Sequence, residues 1–170
     1  MKDIIESGNL IFRPIREEDT EMVLKWRNSG FVRDRFLYRE TITRTDHLNW
    51  LRTRVAKGEV KQFIIVEKSA DKPIGSVYFK DIDRENGSAE YGIFIGEEEA
   101  RGLGYGNETA GAMVAHFFDD MGGRRLMLRV LKDNIPAIRS YEKAGFKKIT
   151  GSDSDDVQLM EIRKNDKEPA

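Results

Sequence analysis

Apolar and polar positions change period several times along the chain, and each change marks an element. Asn9 to Ile15 reads as a first strand ending at Pro14. Glu17, Glu18 and Asp19 then open a helix with Met22, Val23 and Trp26 on one face, and Arg27, Asn28, Ser29 and Gly30 close it. A second helix is predicted from Thr45 to Ala56, with Leu48, Leu51 and Val55 as its stripe. Gln62 to Glu67 is strand-like, and its unbroken Phe63-Ile64-Ile65-Val66 run predicts burial on both faces. After a Lys72-Pro73 turn, Ile74–Ile82 and Ser88–Ile95 form two strands around an Asn86-Gly87 hairpin signal.

Beyond residue 100 the period shifts to 3.6. Ala110, Met113, Val114, Phe117, Phe118 and Met121 share one helical face, stopped by Gly122-Gly123. Arg125–Val130 alternates as a strand, with Leu126 and Leu128 opposite Met127 and Arg129. Pro136 opens a helix that runs to Ala144 and is closed by Gly145. Phe146–Thr150 and Val157–Arg163 are the last strands, and residues from about Asn165 are polar and expected to fray. The order predicts a mixed α/β sheet with helices on its faces, in a single domain over 1–170 with its core at about 9–163. The acidic Ser152–Asp156 stretch reads as a mobile loop.

Composition narrows the chemistry. Lys plus Arg number 29 and Asp plus Glu 30, a net charge of -1, so no global field favours nucleic acid or anionic membrane. No cysteine is present, which excludes disulfides, a thiolate nucleophile and cysteine-based metal sites. The charged N-terminus is no signal peptide, and no run approaches the roughly 18 apolar residues of a membrane span. The expectation is a cytoplasmic protein with no nucleic-acid partner, no membrane partner and no metal.

Arg101-Gly102-Leu103-Gly104-Tyr105-Gly106 lies between a strand and a helix. Glycines let backbone N–H groups converge, and the helix N-terminus adds free donors and partial positive charge, which together can cradle a phosphate. The same run also serves as a tight strand-to-helix turn. It lacks the Gly-Lys-Ser/Thr of a P-loop and the spacing of a dinucleotide fingerprint.

Three blocks occur in order: Ala89-Glu90-Tyr91-Gly92-Ile93-Phe94-Ile95, Arg101-x-x-Gly104-x-Gly106, and Asn134-x-x-Ala137-x-x-x-Tyr141-Glu142-Lys143-x-Gly145-Phe146. Jointly they resemble the GNAT acetyltransferases, and the element order over roughly 9–163 fits that fold. The resemblance implies a central, mostly antiparallel sheet splayed at the cofactor site, and acetyl-CoA as co-substrate. It implies that Arg101, Gly102, Leu103, Gly104, Tyr105 and Gly106 bind pyrophosphate. Ile93, Phe94 and Ile95 would pair their backbone with the pantetheine arm. Asn134 would hydrogen-bond that arm and start its helix, and Arg139 and Lys143 would meet cofactor phosphates.

The chemistry also needs a neutral amine, and with a pKa of roughly 10 only about one alkyl amine in a thousand is neutral at pH 7. By resemblance Glu90 is the general base, with His47 and Glu40 in reserve, and Tyr141 donates a proton to the leaving sulfur. Without cysteine, direct attack in a ternary complex is expected.

The N-terminal third, with Trp26-Arg27-Asn28, Val32-Arg33, Ile42-Thr43 and His47-Leu48-Asn49-Trp50-Leu51, resembles two subgroups. One acetylates nucleotide-linked aminosugars; the other, of the Rim type, acetylates protein N-termini. Arg27, Asn28, His47 and Trp50 are the candidate acceptor-binding residues. Arg27, Arg33, Arg35, Arg39 and Arg44 supply anion donors, and Phe36, Tyr38 and Trp50 supply stacking faces, which favours a UDP-aminosugar over a polyamine. A protein N-terminus, or an acetyl-CoA-binding module without catalysis, are the alternatives. Relatives imply a homodimer.

Overall fold

The run Phe63–Val66 has no solvent side, and the fold is organised around it. In the computed structural model, which describes residues 3–150 and 155–167, Lys61–Glu67 is strand β3 of an eight-stranded sheet. Alternation sends Phe63 and Ile65 into one core and Ile64 and Val66 into another, on opposite faces. The other strands are β1 (Ile5–Glu6), β2 (Leu10–Pro14), β4 (Lys72–Asp83), β5 (Ser88–Ile95), β6 (Arg125–Leu131), β7 (Lys147–Ile149) and β8 (Val157–Arg163). They lie in the order β1-β2-β3-β4-β5-β6-β8-β7. Among the described residues β5 with β6 is the one parallel pair, and the rest are antiparallel.

Helices α1 (Thr20–Arg27), α2 (Gly30–Arg35) and α3 (Arg44–Asn49) cover one face through Val23, Trp26 and Val32, and Leu51 follows α3 in a wider turn over Trp50–Val55. Helices α4 (Tyr105–Ala115) and α5 (Ile135–Lys143) cover the other with Ala110, Met113, Val114 and Ile138. The α4 stripe continues through Phe117 and Phe118 in a wider turn, both buried, while Met121 is half-buried at its end.

Three differences from the sequence expectation have local causes. Gly30 does not simply end α1; it begins α2, because the Ser29 side chain accepts from the Val32 amide and caps a new helix. The short strand β1 pairs Ile5 with Phe12, a pairing too brief to show a period. Lys164–Lys167 form a helical turn, α6, where fraying was expected. Of the acidic stretch, 152–154 lie outside the described residues, and Asp155-Asp156 turn into β8.

The pairing of β5 with β6 positions the site. Ser88 faces Arg125, Ala89 faces Leu126 and Glu90 faces Met127, and there the register stops. Both strands continue, β5 to Ile95 held by β4 and β6 to Leu131 held by β8. Beyond Glu90 the two strands part, so each keeps one neighbour and turns its other edge to the gap. The splayed, mostly antiparallel sheet implied by the sequence is therefore the observed one.

Candidate active site

A cleft of about 1250 Å³ follows that gap, from the glycine-rich turn to helices α1–α3. At one end Gly102 and Gly104 adopt φ of 76° and 84°, the left-handed region that L side chains avoid. A Cβ on either would meet nothing within 4 Å. Their glycine identity is therefore demanded by the backbone, not by crowding from the chain, and the space beside them is open. Gly104 is the cap of α4 and provides no side-chain capping bond, so the first-turn amides of α4 keep their donors. This is a backbone cradle suited to a diphosphate.

Arg101 serves the cradle differently from the expectation. Its Nε donates to Ile95 O at 3.1 Å and Nη2 to Gly96 O at 3.2 Å, tying the turn to the end of β5. Its guanidinium also lies 3.6 Å from the Phe31 ring centroid, and Arg35 lies 3.5 Å from the same centroid. Tyr105 is anchored by its hydroxyl donating to Glu67 Oε2 at 2.7 Å. Leu103 is 58% exposed and does not line the cleft.

In the middle of the cleft, Ile93, Phe94 and Ile95 present the β5 edge. The Phe94 side chain belongs to the core, edge-on to Trp26 and Phe36. Tyr141 reaches the cleft from α5 and packs edge-on to Tyr91 at 6.1 Å and Phe146 at 5.9 Å. Burial, with Tyr78 adding, pushes the Tyr141 phenol well up, so it keeps its proton. Burial likewise raises Tyr78 to about 12. Glu90 lines the same stretch; its Oε2 accepts from Arg129 Nε at 3.1 Å and lies 3.6 Å from Lys80 Nζ. Asn134 lines the cleft at the α5 N-cap position, yet its side chain makes no capping bond, contrary to expectation. Arg139 and Lys143 are exposed on α5 and are not cleft residues.

The far end is built by side chains. Arg27, His47 and Trp50 line it, with Phe36 and Tyr38. Trp50 is fixed by donating Nε1–H to Gln62 Oε1 at 2.8 Å, and Gln62 in turn donates to Ser76 Oγ at 2.9 Å. Burial pushes the His47 imidazole down, against a weaker pull from Asp19, so it is neutral at pH 7. Asn28 does not reach the cleft: it accepts from the Ile42 amide at 2.8 Å and donates to Ile42 O at 2.9 Å, clamping the chain after α2. Of the other arginines expected at this end, only Arg35 lines the cleft; Arg33 and Arg39 line an outer recess with Glu40, and Arg44 pairs with Glu21.

Sequence reasoning missed Tyr78, Lys80 and Arg129. Tyr78 stands opposite Gly92 in the β4–β5 register, and a Cβ on Gly92 would lie 2.3 Å from the Tyr78 ring. An aromatic facing a glycine across a hairpin is a readable signal once the register is fixed.

A splayed sheet, a glycine turn with open backbone donors and a buried phenol thus share one cleft. The chain belongs to the GNAT acetyltransferase family, whose domain model matches residues 9–147. It is 28% identical over 149 residues to the protein MJ1062 of Methanocaldococcus jannaschii, covering 86% of this chain but 30% of that one. The acetyltransferase PseH of Campylobacter jejuni is 23% identical over 135 residues, 79% of this chain and 81% of PseH. In three dimensions the chain is similar to the spermidine N-acetyltransferase of Vibrio cholerae in complex with CoA and spermine. There the TM-score is 0.82 at 18% identity, over 94% of this chain and 98% of that one, a likeness of fold.

Proposed function

We propose that this protein is an acetyl-CoA-dependent N-acetyltransferase whose acceptor is a primary amine on a nucleotide-linked sugar. The observation that carries the transferase reading is the parting of β5 and β6 beyond Glu90, which opens one cleft onto the glycine cradle, Tyr141 and the α1–α3 end. The cradle fits a diphosphate because Gly102 and Gly104 leave open space and the α4 amides keep their donors. The free β5 edge at Ile93–Ile95 fits an extended amide-bearing arm by strand addition. When bound, acetyl-CoA supplies the activated acetyl thioester.

The residues of the chain then have four tasks. The cradle fixes one end of the donor. A backbone N–H of Ile93, Phe94 or Ile95 meets the charge that develops on the acyl oxygen; such donors are worth about 2.7–4 kcal/mol. Glu90, oriented by Arg129 and Lys80, accepts the amine proton directly or through a water. Tyr141, kept protonated by burial, delivers a proton to the departing sulfur. The C–N bond forms as the C–S bond breaks, and the amine and the thiol exchange a proton by way of these two side chains.

The sugar-nucleotide acceptor is supported by the aromatic and cationic lining of the α1–α3 end, where Phe36, Tyr38 and Trp50 stand with Arg27 and Arg35. Thiol release from acetyl-CoA should be followed with UDP-aminosugars, short peptides and polyamines. Turnover confined to the UDP-aminosugars is expected. Turnover with peptides alone would transfer the reading to protein N-termini, and acetyl-CoA binding without turnover on any amine would refute it.

A further inference from the structure

Among the described residues one carboxylate and one guanidinium are buried, Asp19 and Arg27, and only the first is answered. Asp19, buried, receives two hydrogen bonds from Arg13, at 2.8 and 2.9 Å, and one from the Arg16 amide at 2.8 Å. Arg27 is not answered. It is 8% exposed, and its Nη1 is buried with no hydrogen-bond partner. Its electrostatic neighbours are the phenols of Tyr78 and Tyr38, and among the described residues no carboxylate lies within ion-pair distance of it. Buried cations are normally paired, since an unpaired one forfeits its hydration for nothing in return.

Two local explanations fail. Arg27 ends α1, where a cation could bond the last carbonyls. Two of those carbonyls are taken, since the Asn28 amide donates to Leu24 O and Ser29 donates to Trp26 O through both its amide and its hydroxyl, and Arg27 Nη1 bonds none of them. The second is the Phe36 ring, 3.9 Å from the guanidinium carbon. A ring contact covers a face of the guanidinium and leaves its in-plane N–H donors unspent. The same cleft is also lined by His47, whose Nε2 is buried without a partner. Arg27 thus brings unspent, permanently cationic donors to one end of a cleft whose other end carries the glycine cradle.

We propose that Arg27 is the receptor for an acidic group carried by the acceptor, a phosphate or a carboxylate. The acceptor is then an amine and an acid at once, and free polyamines are excluded by the same charge. This rests on the reading that the cleft holds an amine acceptor, and it adds the residue that selects it. Guanidinium geometry suits either acid, since both present paired oxygens to adjacent N–H donors.

The test uses the full chain loaded with CoA and titrated calorimetrically with four related amines: glucosamine, glucosamine 1-phosphate, UDP-glucosamine and muramic acid. At least one acidic form should bind about tenfold or more tighter than neutral glucosamine, the scale of one charge-assisted hydrogen bond. That preference should vanish in Arg27→Met and Arg27→Gln and persist in part in Arg27→Lys, while CoA binding stays intact as the control for folding. The acid that gains most identifies the group. Equal or absent binding of all four by the wild-type chain, or a preference that survives Arg27→Gln, would overturn the proposal. Acetyl transfer to the same four amines separates it from the reading beneath it. Arg27-dependent binding without transfer leaves the receptor standing and removes the transferase. Transfer to neutral glucosamine as efficient as to every acidic form does the reverse.

Discussion

The two ends of the cleft are built on opposite plans. At the cradle the groups on offer are backbone amides around Gly102 and Gly104, whose left-handed φ values an L side chain would strain although the space beside them is open. At the α1–α3 end they are side chains of Arg27, His47 and Trp50, set by packing between helices. A backbone site answers to a ligand common to a whole family. A side-chain site can be altered residue by residue, so selectivity belongs there. The family match over 9–147 spans both ends of the cleft and does not by itself fix the acceptor.

Substitutions can break this contrast. The largest effect is expected between the ends, at Tyr141. Tyr141→Phe removes the proton donor and should lower kcat by about 10² to 10⁴-fold while leaving acetyl-CoA affinity unchanged. Unchanged turnover would remove Tyr141 from the chemistry. At the cradle, Gly104→Ala forces a Cβ onto a φ of 84° with open space around it. The cost is backbone strain alone, about 1–2 kcal/mol. It should appear as roughly tenfold weaker CoA binding or as a lower Tm.

At the acceptor end the sign should invert. Arg27→Met replaces an unpaired buried cation by an apolar chain of similar length. The ligand-free protein should keep its stability or gain about 1 kcal/mol in urea unfolding even as acceptor binding is lost. A loss of several kcal/mol would instead make Arg27 a structural residue. The smallest effect concerns His47, whose folded-state pKa is lowered by burial. The unfolded chain takes up that proton first, at about pH 6.5. Stability from this group is full above that pH and declines as pH falls through it toward the folded pKa. His47→Gln should erase that part of the stability–pH slope.

The same contrast explains what the sequence disclosed. Strand β5 is found over Ser88–Ile95 as its pattern predicts, and the cradle was visible because left-handed turns leave glycines in the chain. The double burial of Phe63–Val66 was visible because it suppresses alternation. Side-chain partnerships left no such trace. That Arg101 would spend its guanidinium on Ile95 O and Gly96 O, that Asn28 would clamp Ile42, and that Glu90 would meet Arg129 and Lys80 all depend on register and helix packing. Leu103, Arg139 and Lys143 lie within the motif segments but stand outside the cleft, because a motif fixes a position along a helix or turn and not the direction of its side chain.

If backbone holds the cofactor, at the cradle and along the free edge of β5, amide hydrogen exchange with and without acetyl-CoA will register it. New protection is expected at Ile93–Ile95 and Gly102–Asn107, with little change in the β2–β3 pairing. Protection that arises elsewhere, with these two segments exchanging as before, would rule out a backbone-held cofactor.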